Sequence, residues 1–276
     1  MTTSIGNALQ LMVHPMVWMA GIYPGLSILL VFGIANLSGT YTATQIGLIL
    51  FLLSPLVIGG VLGMIRYNDY SPILFLMQAK RHYFGIVMPA IIIALVIVIT
   101  IILLLIPLSL IMGSFDAFMV TGLCIGVSIP VLLTTVFYAP VIVAENATVT
   151  QSLFKSVILV SYDLFASLKF WIAAIILQCM IFFGVTMAFT VLIYEYLEEY
   201  ATLSIAEQQA KYATLTIDEW MTMLGGNEFI LVLFTSVCVA IVSTFLICYL
   251  FVCYEDAKEI VPFEPIPHVP TPSGNE

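Results

Sequence analysis

Six runs of roughly twenty or more apolar residues limit what this chain can fold into more than any other feature. They cover Met16 to Ala35, Ile46 to Ile65, Gly85 to Ile111, Ala117 to Val143, Phe170 to Tyr194, and Phe229 to Tyr254. A helix that crosses a hydrocarbon layer of about 30 Å needs about 20 such residues. With 62% hydrophobic residues, 8% charged residues and a mean hydropathy of +1.16, the 276-residue chain has too few polar side chains to cover a water-soluble globule. The expected fold is all-α: an integral membrane bundle of six transmembrane helices, with amphipathic helices at the interface.

Charge supplies the orientation. With the N-terminus cytoplasmic, Arg66, Lys80, Arg81, Lys155, Lys169 and Lys258 fall on the cytoplasmic side and only Lys211 outside. Both termini are therefore expected inside, in a cell membrane. The first ten residues, MTTSIGNALQ, carry no Lys or Arg and no small-residue cleavage site, so the first apolar run is expected to stay as a span. His14 marks its cytoplasmic start. The net charge of -9 argues against nucleic acid and against a polybasic patch for anionic lipid, which needs four or more clustered cations. All five cysteines lie inside the runs and read as free thiols packed as small apolar residues; a metal-binding pair at Cys248 and Cys253 is the alternative.

Between the fourth and fifth runs, Thr148 and Gln151 have the form of a capping box, and a helix follows. Val149, Leu153, Val157, Val160 and Leu164 recur at helical spacing, while Ser152, Lys155, Ser156 and Asp163 fall on the remaining arc. The pattern predicts an interfacial helix over Val149 to Leu164, apolar side to lipid and polar side to water. A second is predicted over Pro72 to Phe84, with Lys80, Arg81 and His82 at headgroup depth as topogenic charge; phosphate binding by that triplet is the alternative reading. Gly59 with Gly63, and Gly122 with Gly126, repeat the four-residue spacing that lets helix backbones approach closely, and both pairs are expected at helix contacts. ALQLMVHPMVWMAGIYP aligns without gaps on ILFLMQAKRHYFGIVMP, and the segment from Leu153 follows it more faintly. Three units, each an interfacial helix and a hairpin, would account for this.

The segments SPILFLMQAKRHYFGIVMP and APVIVAENATVTQSLFKSVILVSYDLF also carry a family likeness. They resemble the polytopic membrane domain that accompanies a glycerophosphoryl diester phosphodiesterase in some bacteria, and stand-alone archaeal and bacterial proteins related to it. In that family a Pro and a Glu at the end of the fourth span precede a helix of the form Ala-Leu-x-x-Ser. Here they are Pro140, Glu145 and the stretch Ser152 to Ser156, with Ser152 in place of the usual Ala. The resemblance implies a cytoplasmic-membrane protein without an assigned reaction. Hydrolysis in the namesake belongs to a separate soluble barrel, so it carries no hydrolase activity to these residues.

The outer loop, 195–227, repeats YATLSIAE as YATLTIDE, which gives two capping boxes, Ser204 with Glu207 and Thr216 with Glu219, and two short helices; Leu215 and Trp220 form a staple on the second. Glu195, Glu198 and Glu199 share a helix face that reads as a solvated acidic surface, with a loosely held Ca2+ as the alternative. Residues 1–254 form the six-span domain. Residues 255–276 read as an acidic, Pro-rich cytoplasmic tail without fixed structure.

No zinc-protease motif, nucleophile elbow, phosphate loop or pair of intramembrane carboxylates occurs, and no Asp, Glu, Lys or Arg lies at mid-span. No catalytic residue, cofactor or metal is expected. The expected function is a non-enzymatic membrane protein that acts by packing against the lipid bilayer or a membrane protein partner, as scaffold or accessory subunit. An uncoupled permease or lipid-handling transporter is the alternative. Pro140, Glu145, Lys155, Ser156, Lys80 and Arg81 are the residues singled out. Glu145 is read as a helix-end carboxylate that holds Lys155 or backbone amides, with a transport gate as its alternative role. Reporter fusions at Met1 and Glu276 should both report the cytoplasm, and the Asn146-Ala147-Thr148 sequon should stay unglycosylated; fusions reporting opposite sides would refute the topology.

Overall fold

A computed structural model describes residues 2–112, 117–194, 203–207, 214 and 224–261. These residues are helical almost throughout, with no strand among them. Six segments are long and apolar enough to cross a membrane: Pro15–Ser38, Thr40–Tyr67, Pro72–Ser109, Met119–Glu145, Leu164–Leu192 and Glu228–Ile260. The fold is the all-α bundle that the apolar runs demand.

In chain order, α1 (Thr2–Leu11) leads through a 3-10 turn at Pro15–Trp18 into α2 (Met19–Ser38), and α3 (Thr40–Tyr67) follows. Next come α4 (Pro72–Met112), α5 (Ala117–Thr135), the short α6 (Tyr138–Glu145) and α7 (Val149–Tyr162). The last two are α8 (Leu164–Leu192) and α9 (Glu228–Ile260). Around the bundle the neighbours run α2, α3, α4, α5, α8, α9 and back to α2, while α6 and α7 fill one end of this ring. The tightest join is Gly39, the single residue between α2 and α3, whose φ of 84° needs a residue without a Cβ. Asn68 ends α3 and Asn146 ends α6 in the left-handed conformation that Asn tolerates best after Gly. After α3, the amides of Asn68 and Asp69 close on the carbonyls of Ile65 and Met64.

Buried side chains collect at the plugged end. Val61, Met64, Phe137, Val141, Leu159, Tyr249 and Tyr254 are fully enclosed there. Along α8 the most apolar window has no buried residue at all, as suits a helix whose solvent is hydrocarbon rather than water.

Close helix contacts follow small residues, but only one of the two expected pairs takes part. On α3, Gly59, Gly60 and Gly63 admit α4: a Cβ at Gly63 would stand 2.5 Å from the Gln78 Cβ, and one at Gly60 2.5 Å from the Phe75 ring. Gly122 and Gly126 do not make such a contact. They are exposed on α5, and a Cβ on either meets nothing within 4 Å. The second close approach is instead at Gly21 and Gly25 of α2, against Ser236, Ala240 and Thr244 of α9, where a Cβ at Gly21 would fall 1.7 Å from the Ala240 carbonyl oxygen. Both partners there present small residues every fourth position, so two backbones meet.

Three further expectations change. The segment Pro72 to Phe84 is not a separate in-plane helix: it opens α4, which runs unbroken for 41 residues, because Phe75, Gln78, Ala79, His82 and Ile86 form one stripe against α3. The helix α7 has the predicted position, and Val157 and Leu164 of its predicted apolar arc are exposed as expected, but its polar arc does not face water: Ser152 and Ser156 are fully buried, and Val160 is buried with them. Finally, α9 continues through Glu255, Asp256 and Glu259 to Ile260, so the tail is helical past residue 254; residues 262–276 lie outside the described residues. In the outer loop the first capping box is present, with the Ser204 amide donating to Glu207 Oε2 at 3.0 Å. The Ser204 hydroxyl, which also donates to Glu207 Oε2, and then this amide hold the Glu207 carboxyl below its usual range. The second box, the Leu215–Trp220 pair and the Glu195, Glu198 and Glu199 face lie outside the described residues.

These contacts set a contrast. Gly21→Ala should lower stability by about 2 kcal/mol, the cost of overpacking, whereas Gly122→Ala should change it by less than about 0.5 kcal/mol. Unfolding midpoints in mild detergent would measure both, and equal effects would refute the assignment of the contact to α2 and α9.

Candidate functional site

The fourth span is broken, and the break begins with Pro140. Proline has no N–H to donate and its ring strikes the carbonyl four residues back, here that of Val136, so α5 stops at Thr135 and α6 restarts at Tyr138. In lipid the groups freed by such a break need partners. Serines supply them. Ser156 Oγ accepts from the Phe137 amide at 3.0 Å and donates to the Thr134 carbonyl at 3.0 Å. Ser167 Oγ donates to the Leu133 carbonyl at 2.9 Å. Both serines are completely buried. Here lies the reason that the polar arc of α7 faces the protein: in a nonpolar solvent it is worth more turned inward, onto an opened backbone.

The short α6 then ends in a knot of charge. The Lys155 ammonium contacts Glu145 Oε2, and the Tyr254 hydroxyl donates to Glu145 Oε1 at 2.8 Å. The Lys155 and Glu145 side chains are only 17% and 15% exposed. Arg66, at the end of α3, donates from Nη1 to the Val143 carbonyl, which neutralises a helix C-terminus from outside. Its guanidinium sits 4.9 Å from the centre of the Tyr67 ring, and the Lys258 ammonium 5.7 Å from that of Tyr254. Four helices, α3, α6, α7 and α9, are thus tied at one point. Thr148 starts α7 with its amide donating to Gln151 Oε1 at 3.1 Å, and Asp163 starts α8 by accepting from the Ala166 amide at 3.2 Å.

Of the residues singled out in the sequence, Pro140, Glu145, Lys155 and Ser156 meet here, and the ion pair read for Glu145 is present. Lys80 and Arg81 are elsewhere, on the exposed side of α4. Gly59 and Gly63 face His82 and Gln78, which are buried, with His82 Nε2 3.0 Å from Gln78 Oε1. Sequence reasoning missed Arg66, Ser167 and Tyr254. A Pro-broken span was a cue that hydroxyls must come from elsewhere, but nothing in one sequence says which.

The cavities lie apart from the knot. One of about 440 Å³ sits at span depth between α2, α3 and α9. Three of its four hydroxyls are spent on backbone: Tyr23 on the Leu50 carbonyl at 2.5 Å, Ser27 on that of Tyr23 at 2.8 Å, and Ser54 on that of Phe51 at 2.7 Å. With Ser243 the exception, the surface left to the cavity is mostly apolar. A polar cavity of about 510 Å³ lies at the plugged end, among α1, the end of α3 and the end of α9. There His14 stacks on Tyr70 with ring centres 3.6 Å apart, Ser4 donates to Asp256 at 2.8 Å, and burial, then Cys248, raises the Tyr70 phenol above its usual range. No known family, no curated protein and no solved structure matches this chain.

Ser156→Ala should cost about 1–2 kcal/mol, because it leaves an amide and a carbonyl unpaired; Ser167→Ala, which frees one carbonyl, should cost less. In a double-mutant cycle Glu145→Gln and Lys155→Met should couple by about 1 kcal/mol. Additive losses would show that the pair does not hold α6 to α7.

Proposed function

We propose that this protein is a non-enzymatic, multi-pass protein of the cell membrane, with both termini cytoplasmic, that acts by packing against lipid or a membrane protein partner. The observation that carries this reading is the use of its ionisable groups. Glu145, Lys155, Arg66 and Tyr254 are spent on one another and on a broken backbone, and the span-depth cavity presents a mostly apolar wall. A carrier coupled to an ion gradient needs an ionisable group free to change partners within its pathway.

A second reading, an uncoupled permease or lipid-handling transporter, is favoured by the 440 Å³ cavity between α2, α3 and α9. Its volume falls within the usual range of ligand pockets, about 300–1,000 Å³, and its chemistry suits an acyl chain rather than a polar solute.

Reconstitution separates the two. Vesicles containing the purified protein should hold an imposed proton gradient as long as empty vesicles, and should not exchange labelled phospholipid between leaflets. A proton flux abolished by Glu145→Gln, with folding intact, would overturn the first reading. Lipid exchange abolished by Ala20→Phe, which fills the cavity, would install the second.

A further inference from the structure

Lys80 and Arg81, adjacent on α4, are cations that the charged knot does not use. Both are exposed, and neither has a hydrogen-bond or ion-pair partner among the described residues. The nearest acid along the chain, Asp69, accepts instead from the Ser71 amide at 3.0 Å. The two therefore set adjacent positive charges on α4 with no carboxylate against them among the described residues.

The surroundings of the two cations indicate what could balance them. On the face of α4 turned from α3, Leu76, Met77, Lys80, Arg81, Phe84 and Met88 form one exposed stripe, with Phe84 67% and Met88 45% exposed. The charges are set in an apolar band, as they would be where a headgroup region meets hydrocarbon. Their depth agrees. From Arg81 to Ser109, the end of the apolar window, an α-helix rises about 42 Å, which matches a bilayer of about 40–45 Å with its headgroups. With Ser109 at one interface, Lys80 and Arg81 stand at the phosphates of the other.

We infer that Lys80 and Arg81 form a docking surface for the phosphate of an anionic phospholipid whose acyl chains lie along Phe84 and Met88. This deepens the lipid half of the proposed function and rests on it. It differs from a polybasic patch, which gathers a diffuse layer of anionic lipid with four or more cations; a basic site beside transmembrane helices holds one headgroup at a fixed place. The guanidinium of Arg81 gives a planar pair of donors to phosphate oxygens, and Lys80 adds a point charge.

The test uses the full-length protein in a neutral maltoside detergent, with the unfolding midpoint followed as phosphatidylglycerol, phosphatidylcholine or inorganic phosphate is added. Phosphatidylglycerol should raise the midpoint, and the other two should not. Because each basic residue near a lipid surface contributes about 1 kcal/mol, the Lys80→Gln, Arg81→Gln double variant should need roughly 30-fold more phosphatidylglycerol for the same shift. The charge-conserving double variant Lys80→Arg, Arg81→Lys should respond within a few-fold of the original. Should the double Gln variant fail to fold, each single variant carries the test at roughly fivefold. An unchanged response in the Gln variants, equal stabilisation by phosphatidylcholine, or the full effect from inorganic phosphate would each overturn the proposal. None of these results bears on proton or lipid flux in vesicles, so the site can fail while the broader reading stands.

Discussion

A peptide group without a partner in hydrocarbon costs several kcal/mol, and the fourth span opens such groups at the plugged end of the bundle. Pro140 makes the opening, and the geometry around it follows from closing it. Ser156 has to reach the break, so α7 must lie against α5 with its serines inward. Ser167 has to reach the preceding carbonyl, which fixes the first turn of α8. With α6 redirected, its C-terminus falls where Arg66, Lys155 and Tyr254 can meet it. The contacts that close this break thus join the fourth span to α3, α7, α8 and α9.

The same solvent logic explains the rest of the packing. Lipid offers no hydrophobic drive for helices to associate, so contact depends on close backbone approach and on polar groups finding one another. The bundle uses both at separate seams. Glycines of α2 and α3 seat α9 and α4, and serines of α7 and α8 seat the broken span. Large apolar side chains such as Phe154, Phe165 and Phe182 are left outside, at 68%, 73% and 74% exposure. In water that would be an aggregation surface; in a bilayer it is the surface the solvent wets.

What the sequence made legible was whatever depends on one helix at a time. Span number follows from run length, the start of α7 from Thr148 and Gln151, and the Glu145–Lys155 contact from two charges stranded at neighbouring helix ends. What it hid depends on which face meets which neighbour. Gly122 and Gly126 have the same spacing as Gly21 and Gly25, yet only the second pair meets a helix with small residues in register, and a single chain does not print that register. The polar arc of α7 was assigned to water because amphipathic helices usually put it there. The rule reverses when a proline elsewhere opens a backbone that needs hydroxyls. Lys80 and Arg81 were legible as charges at a span end, but the continuity of α4 past them was not, since the buried stripe that extends the helix appears only against α3.

The order of the chain adds a consequence for how this protein is made. The carbonyls of Thr134 and Leu133 precede their serine partners by 22 and 34 residues. At about 5–20 residues per second, synthesis reaches Ser167 roughly two to seven seconds after Leu133. For that interval the Leu133 carbonyl lacks the partner it has in the folded protein, so the fourth span is completed only once the start of α8 exists.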